Sequence, residues 1–300
     1  MKIITIGSAL IDVFIQSKNF SKDEDGYIKV GGKSGKAEVE SFAIKTGGGG
    51  GNTAVGFARL GFEVEVISET GQDELAELIT QNFKKERVAI NLLVQERKEE
   101  TGGSVILVCA DGSRLILVHR GAASMLDPAD IRLQDIEDAD WIHISSLSGR
   151  LDTLQHLFGG LRHHRLRTSW NPGSADLKLI AEGKLKVQEI ECEVFLVNHE
   201  EWQLIASQHE ELKTHLNQIV ITDSVRGGKV MLKNGEKIVY KSEKVEAVDH
   251  TGAGDAFGVG YVAGLLYRKT PQEATGWGAK NSASVVMKLG AKAGLRKKLG

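Results

Sequence analysis

Short apolar runs alternate with stretches of helical period along most of this chain, and that alternation constrains the fold more than any other feature of the sequence. KIITIGSA near the start reads as a strand, GNTAVGFARLG as a helix, EVEVIS as a strand, DELAELITQNFKKE as a helix and VAINLLVQ as a strand again. Further on, DWIHISS, EVFLVNH and QIVITD are short apolar runs, each followed by a helical or turn segment. Parallel strands need a long crossover between them, so this order predicts an α/β fold with a mostly parallel sheet covered by helices on both faces. At 300 residues the chain can bury such a core, and without a long linker or internal repeat we read 1–300 as a single domain.

Two regions break the alternation. Residues 13–45 contain FIQSKN, YIKVG and VESFAIKT, separated by polar, Gly-rich turns and lacking helical period. Residues 102–119 hold two apolar runs on either side of Asp111-Gly112, a hairpin turn signal. Strands of this kind inside a parallel α/β core predict a small β-sheet lid and not a second domain. The last third reads as two helices, 253–268 and 271–289, divided at Pro271.

Charge and composition exclude several classes of function. The formal net charge is -2, with 41% hydrophobic and 26% charged residues, so neither a nucleic-acid stripe nor a basic membrane face is expected. The start, MKIITIGSALIDVFIQ, is broken by Asp12 and reads as a buried strand instead of a signal peptide. No uncharged apolar run has the length of a membrane span. Cys109 and Cys192 lie far apart in apolar contexts and read as buried small hydrophobes of a reducing compartment, which makes a cytoplasmic protein the expectation.

Glycine is abundant, 35 residues against three prolines, and its clusters ask for local reasons. GGKS at 31–34 imitates a phosphate loop, but that motif requires Gly at 27, where the chain has Tyr27, and no helix follows; a lid turn is the better reading. The run from Gly47 to Gly51, followed by Asn52, opens a helix, so a ligand can come close to the backbone and to the unpaired N–H groups there. DHTGAGDAF at 249–257 precedes the apolar run GVGYVAGLLY. Gly252, Ala253 and Gly254 at a helix start would gather several N–H donors into one anion hole, and Asp255 beside it could take a proton from an attacking hydroxyl. By chemistry alone this stretch is either a base within an anion hole or an ordinary helix cap.

These residues resemble the ribokinase-like (PfkB) carbohydrate kinase family over nearly the whole chain. The amino-terminal signature is matched by the glycine run through Asn52, Ala54, Gly61 and Gly71, and the carboxy-terminal one by Asp249, Gly252 to Asp255 and Gly260-Tyr261-Val262. The resemblance implies a three-layer α/β/α core with a small lid, and ATP-dependent phosphorylation of a hydroxymethyl group on a sugar. It implies Asp255 as catalytic base, with Gly252, Ala253 and Gly254 as the anion hole. It implies acceptor contacts at Asp12, Gly47, Gly48 and Asn52, and Mg²⁺ organised with the nucleotide phosphates by Asn198 and Glu201. Nucleotide contacts are implied at Thr222, Gly227 and Asn281, and a monovalent-cation site (K⁺) at Asp249 with backbone carbonyls near Thr251 and Gly290.

The sequence also departs from the family pattern. His250 stands where Ser, Thr, Pro or Val is usual, Ala123 where an Asn often follows Arg120-Gly121-Ala122, and Ser224 where a Gly is common after Thr222. WNPG at 170–173 lacks the acidic and basic partners many members carry. His163-His164 reads as a solvated helix end. A nucleoside kinase is the nearest alternative, though few aromatic residues (Tyr27, Phe42) fall in the lid. Lys29, Lys33, Lys36, Lys45, Arg114 and Arg120 leave a phosphorylated sugar open. A non-catalytic binding protein on the same fold and a dinucleotide oxidoreductase are more distant alternatives. Apolar lid strands with no helix to cover them predict a homodimer paired through the lid.

Overall fold

The computed structural model describes residues 1–31 and 35–299, so most of the GGKS stretch and Lys33 lie outside the described residues. Its main sheet runs, from one edge, through Lys237–Tyr240, Gly228–Leu232, Gln218–Thr222, Val194–Asn198, Thr168–Trp170, Trp141–Ile144, Lys2–Ile6, Glu63–Thr70 and Val88–Ala89. From Gln218–Thr222 onward all pairings are parallel, and only the two strands at the first edge are antiparallel. The first strand lies between Trp141–Ile144 and Glu63–Thr70, deep in the sheet, which explains its uninterrupted isoleucines.

Successive side chains on a strand point to opposite faces, and the core divides accordingly. Ile3, Val64, Val66, Trp141, Val194 and Val220 pack with the helices Gly49–Arg59, Glu74–Lys85, Ala253–Leu266 and Pro271–Val286. Their neighbours Ile4, Ile6, Ile142, Phe195 and Ile219 pack with Leu151–His164, Ser174–Ala181 and His209–His215 on the other face. The result is the three-layer α/β/α core. Cys109 and Cys192 are buried and unpaired, and burial pushes the Cys192 thiol up, so it stays protonated. His163 and His164 end their helix in solvent.

Local chemistry sets the helix ends. Asp73 accepts a hydrogen bond from the Ala76 N–H at 2.8 Å, and Thr270 caps the helix that opens on Pro271, whose missing N–H has no role there. VAINLLVQ, expected as one strand, is two short ones, Val88–Ala89 and Leu93–Gln95, both paired with Glu63–Thr70. The helix expected from Gly51 begins at Gly49, inside the glycine run.

The small second sheet is formed by the expected segments, beginning slightly earlier at Leu10. Its order is Arg114–His119, Gly103–Val108, Leu10–Gln16 and Ser41–Gly47, with the hairpin turning at Gly112 in the left-handed region, φ 82°. Phe20–Lys22 and Ile28–Val30 form a separate hairpin. The sheet leaves the core where the first strand ends, so Asp12 on Leu10–Gln16 stands near the carboxyl ends of the parallel strands, where ligands of such sheets bind.

Ala253–Leu266 is apolar on all sides and lies between the main sheet and Pro271–Val286. Close approach of the two helices depends on glycine: a Cβ at Gly260 would lie 2.6 Å from the Trp277 carbonyl oxygen and 2.8 Å from the Gly278 Cα. Gly276 on the same second helix meets nothing within 4 Å. Gly260→Ala is therefore expected to destabilise by about 1–3 kcal/mol through overpacking. Gly276→Ala should stabilise by roughly 0.5–1 kcal/mol by restricting the unfolded chain. Urea melts of the two variants check both signs.

Candidate active site

Two glycine-rich helix starts face each other at the carboxyl ends of the central strands. The first helix begins behind Gly48, φ 86°, and the second behind Gly252, which caps it at φ 76° and ψ 7°. Gly252 has no alternative: besides its φ, a Cβ would lie 2.5 Å from that of Ala291. Gly48 is equally fixed, since its Cβ would meet the Ser8 carbonyl oxygen, and that of Gly47 would collide with Asp12. Gly254 differs, because a Cβ there meets nothing within 4 Å. The protein's own packing does not demand glycine at 254, whereas a ligand approaching the backbone would.

Asp255 lies in the first turn of the second helix and receives a hydrogen bond from Asn52 Nδ2 to its Oδ2 at 2.8 Å. That bond joins residues 203 apart in the chain and brings the two signatures into one site. Desolvation pushes the Asp255 carboxyl up to about 6; the Asn52 bond opposes this and the Glu201 charge adds to it. Among the described residues, Asn52 Oδ1 is buried and has no hydrogen-bond partner, and neither does Ser145 Oγ. A Cβ placed on Gly49 would sit 3.0 Å from Ser145 Oγ and 3.7 Å from Asp255 Oδ1, so these polar groups converge on one glycine. Asp12 accepts a hydrogen bond from Ser104, and burial pushes its carboxyl above the ordinary range.

On the other side of Asp255, Asn198 and Glu201 cap the helix His199–Leu204 reciprocally. Asn198 Oδ1 accepts from the Glu201 N–H and Glu201 Oε2 from the Asn198 N–H, both at 2.8 Å. Burial raises the Glu201 carboxyl above its usual range. Asn198, Glu201, Thr222, Gly252 to Asp255 and Asn171 line one cavity of about 180 Å³. Thr222, His250, Ala253 and Gly254 also line a second, more apolar cavity of about 300 Å³ with Gly227, Val225, Tyr240, Phe257 and Val286. Together the two cavities offer an anion-binding helix start beside an apolar slot. Gly227, φ 94°, cannot carry a side chain because a Cβ would strike the Tyr240 carbonyl oxygen. Ser224 holds φ 48°, the left-handed conformation that accounts for a glycine being common at this point of the family pattern.

Asn281 lies beneath the cavity lining, with both ends of its amide engaged. It is buried, its Nδ2 donates to the Ala256 carbonyl at 2.8 Å and its Oδ1 accepts from the Arg296 N–H at 3.1 Å, so both ends of the amide serve packing between segments. Its neighbours Ser282 and Ala283 line the apolar cavity. Asp249 is also enclosed: Oδ1 accepts from the Thr251 N–H and hydroxyl and from Arg114, and Oδ2 from the Gly290 N–H. Burial pushes its carboxyl up, but the Thr251 and Gly290 bonds and the Arg114 charge outweigh that and leave it below the ordinary range.

Sequence reasoning missed Ser145, Asn171 and the reach of Arg114. Ser145 and Asn171 each follow a buried strand directly, at the end where parallel sheets bind ligands, and that rule would have found them. Arg114 carried no signal beyond its charge.

Comparison with known proteins places the chain in a family. A family model described as pfkB family carbohydrate kinase matches residues 1–298. The chain belongs to that family. As a PfkB member it is a kinase, similar to a deoxyribokinase of Salmonella typhi (26% identical, covering 86% of this chain and 83% of the relative). It is also similar to a ribokinase of Staphylococcus aureus (25% identical, covering 98% and 96%). The solved structure of a Methanocaldococcus jannaschii nucleoside kinase shares the fold, with a TM-score of 0.80 at 21% identity over 98% of this chain and 94% of that one.

Gly254→Ala separates folding from ligand approach in this PfkB site. Stability should stay level or rise by roughly 0.5–1 kcal/mol, since the added methyl meets open space. Turnover should fall at least about tenfold, about 1.4 kcal/mol of lost transition-state stabilisation. Thermal melts and steady-state rates on the same preparation test the pair.

Proposed function

We propose that the protein transfers the terminal phosphoryl group of ATP to a hydroxymethyl group of a sugar, with Asp255 as general base. The observation that carries this reading is the place of Asp255, in the first turn of an apolar helix with the nucleotide-sized cavities on one side and Asn52, Ser145 and Asp12 toward the other. The acceptor hydroxyl gives its proton to the Asp255 carboxylate as its oxygen bonds to the γ-phosphorus. The bond from that phosphorus to the β,γ-bridging oxygen breaks, and ADP leaves. The N–H groups at the start of Ala253–Leu266, backed by the helix dipole, carry the charge that develops on the phosphoryl oxygens.

The adenine and ribose would occupy the apolar cavity around Val225, Tyr240 and Val286, and the phosphates the smaller one. Glu201 and Asn198 line that phosphate cavity and suit Mg²⁺, which binds through few carboxylates, water and substrate phosphates. Bound there with the nucleotide, Mg²⁺ would neutralise phosphate charge. On the acceptor side the unpartnered Asn52 Oδ1 and Ser145 Oγ can serve hydroxyl groups, and Asp12 can accept from another. A cluster of hydrogen-bonding groups favours a sugar over a nucleoside base, which would want an aromatic platform. The ribokinase and deoxyribokinase relatives support the same class of acceptor. Phe42, Ile44, Leu117 and Val118 on the small sheet are exposed and suit either closure over the acceptor or pairing with a second copy; we favour the pair.

The raised carboxyl of Asp255 sets the pH dependence. The base must be ionised, so kcat/KM should climb as pH rises through about 6 and level off above it. The same shift acts oppositely on stability: a folded-state value above the ordinary one favours folding at low pH, and that contribution is lost as pH rises through about 6. Asp255→Asn should therefore abolish turnover, by a factor of about 10² to 10⁴, while raising the thermal midpoint at pH 8. ADP release from MgATP, measured against pentoses, hexoses, sugar phosphates and nucleosides, tests both acceptor class and base. A variant retaining more than about a tenth of the rate, or a wild type active only on nucleosides, would overturn the corresponding part of the reading.

A further inference from the structure

Arg114 opens the outermost strand of the small sheet, next to the hairpin turn, yet its guanidinium lies against the loop that leads into the anion-binding helix. Nη1 donates to Asp249 Oδ1 at 2.7 Å and to Thr251 Oγ1 at 3.3 Å. Asp249 is 5% exposed, so this ion pair is screened far less than a surface one. The opposite edge strand of the same sheet touches the same region, because Lys45 Cγ lies 3.2 Å from where a Cβ of Gly290 would be. Gly290 in turn donates to Asp249 Oδ2 at 2.8 Å. The small sheet thus holds this loop directly through Arg114 at one edge, and its other edge packs beside the Gly290 segment that bonds Asp249.

A carboxylate offers about four lone-pair positions. On Asp249, Oδ1 accepts from the Thr251 N–H at 3.0 Å, the Thr251 hydroxyl at 2.7 Å and the Arg114 guanidinium at 2.7 Å, which saturates it, while Oδ2 accepts from the Gly290 N–H at 2.8 Å. A K⁺ on this carboxylate would face a saturated Oδ1 and the positive charge of Arg114, 2.7 Å from that oxygen, so the arrangement does not suit one. An arginine cannot lose its charge in a protein, and it is supplied only when the small sheet is docked.

We propose that Arg114 is a positioning residue, a built-in counter-cation that orders the 249–252 loop and couples it to the docked small sheet, so that the protein works without a monovalent cation. The inference rests on the phosphoryl-transfer reading of the helix start, but it makes a claim about Asp249 that can be read without turnover.

Thermal midpoint and turnover are measured in KCl and in choline chloride of equal concentration, for wild type, Arg114→Gln and Arg114→Lys. Wild type should show the same values in both salts. Arg114→Gln should have a lower midpoint and lose at least about tenfold in turnover, the scale of one charged hydrogen bond. K⁺ but not choline should recover part of each, since the freed carboxylate can then bind it. Arg114→Lys, which keeps the charge, should lose less. K⁺ raising the wild-type midpoint or rate severalfold would overturn the proposal, as would a glutamine variant unaffected in both readouts. A loss repaired by neither K⁺ nor lysine would mark a merely structural residue and overturn it too. Absence of any phosphoryl transfer by wild type would instead sink the functional reading and leave the midpoints to judge Arg114.

Discussion

The site depends on two helix amino termini approaching closely enough for Asn52 to donate to Asp255. Each terminus presents unpaired N–H groups and the positive end of a dipole, so bringing them together is unfavourable unless an anion or a carboxylate lies between. Asp255 supplies a negative charge in the resting protein, and a phosphoryl group would supply more. Around each terminus the backbone comes close to its neighbours at glycine, Gly7 against Ser145 and Gly50, Gly48 against Ser8 and Gly252 against Ala291, and the two helices themselves meet at Gly56 against Val259. The glycines clustered around the two helix starts serve that juxtaposition, and the helix packing at Gly260 follows the same logic.

Holding a carboxylate in that place is electrostatically costly. Burial raises the Asp255 carboxyl to about 6, and the protein tolerates the shift with one hydrogen bond instead of an ion pair. An arginine beside Asp255 would stabilise the charge and lower its basicity, which is the treatment Asp249 receives from Arg114. Two aspartates six residues apart therefore sit in opposite environments: burial raises the carboxyl of one, and hydrogen bonds and an arginine hold the other below the ordinary range. The unpaired polar atoms of Asn52 and Ser145 belong to the same economy, since groups awaiting a ligand cannot be satisfied internally.

Much of this was legible before any coordinates. Period and composition determined the three layers, because buried parallel strands such as KIITI and EVFLVN cannot be read as anything but a covered sheet, and the breaks in alternation located the second sheet. Gly252 to Asp255 could be identified as a helix start with a carboxylate because capping chemistry is local. What the sequence could not carry were pairings across long separations. The bonds of the Asn281 amide to Ala256 and Arg296, and that of Arg114 to Asp249, are examples. Such contacts depend on the relative placement of sheets and helices, which many side chains fix jointly and no local pattern encodes. The sequence by itself determined the elements, their order and the chemistry each could offer. Tertiary structure alone decided which carboxylate has an arginine beside it and which has only an amide, because that depends on which groups come within hydrogen-bond reach once the two sheets pack together.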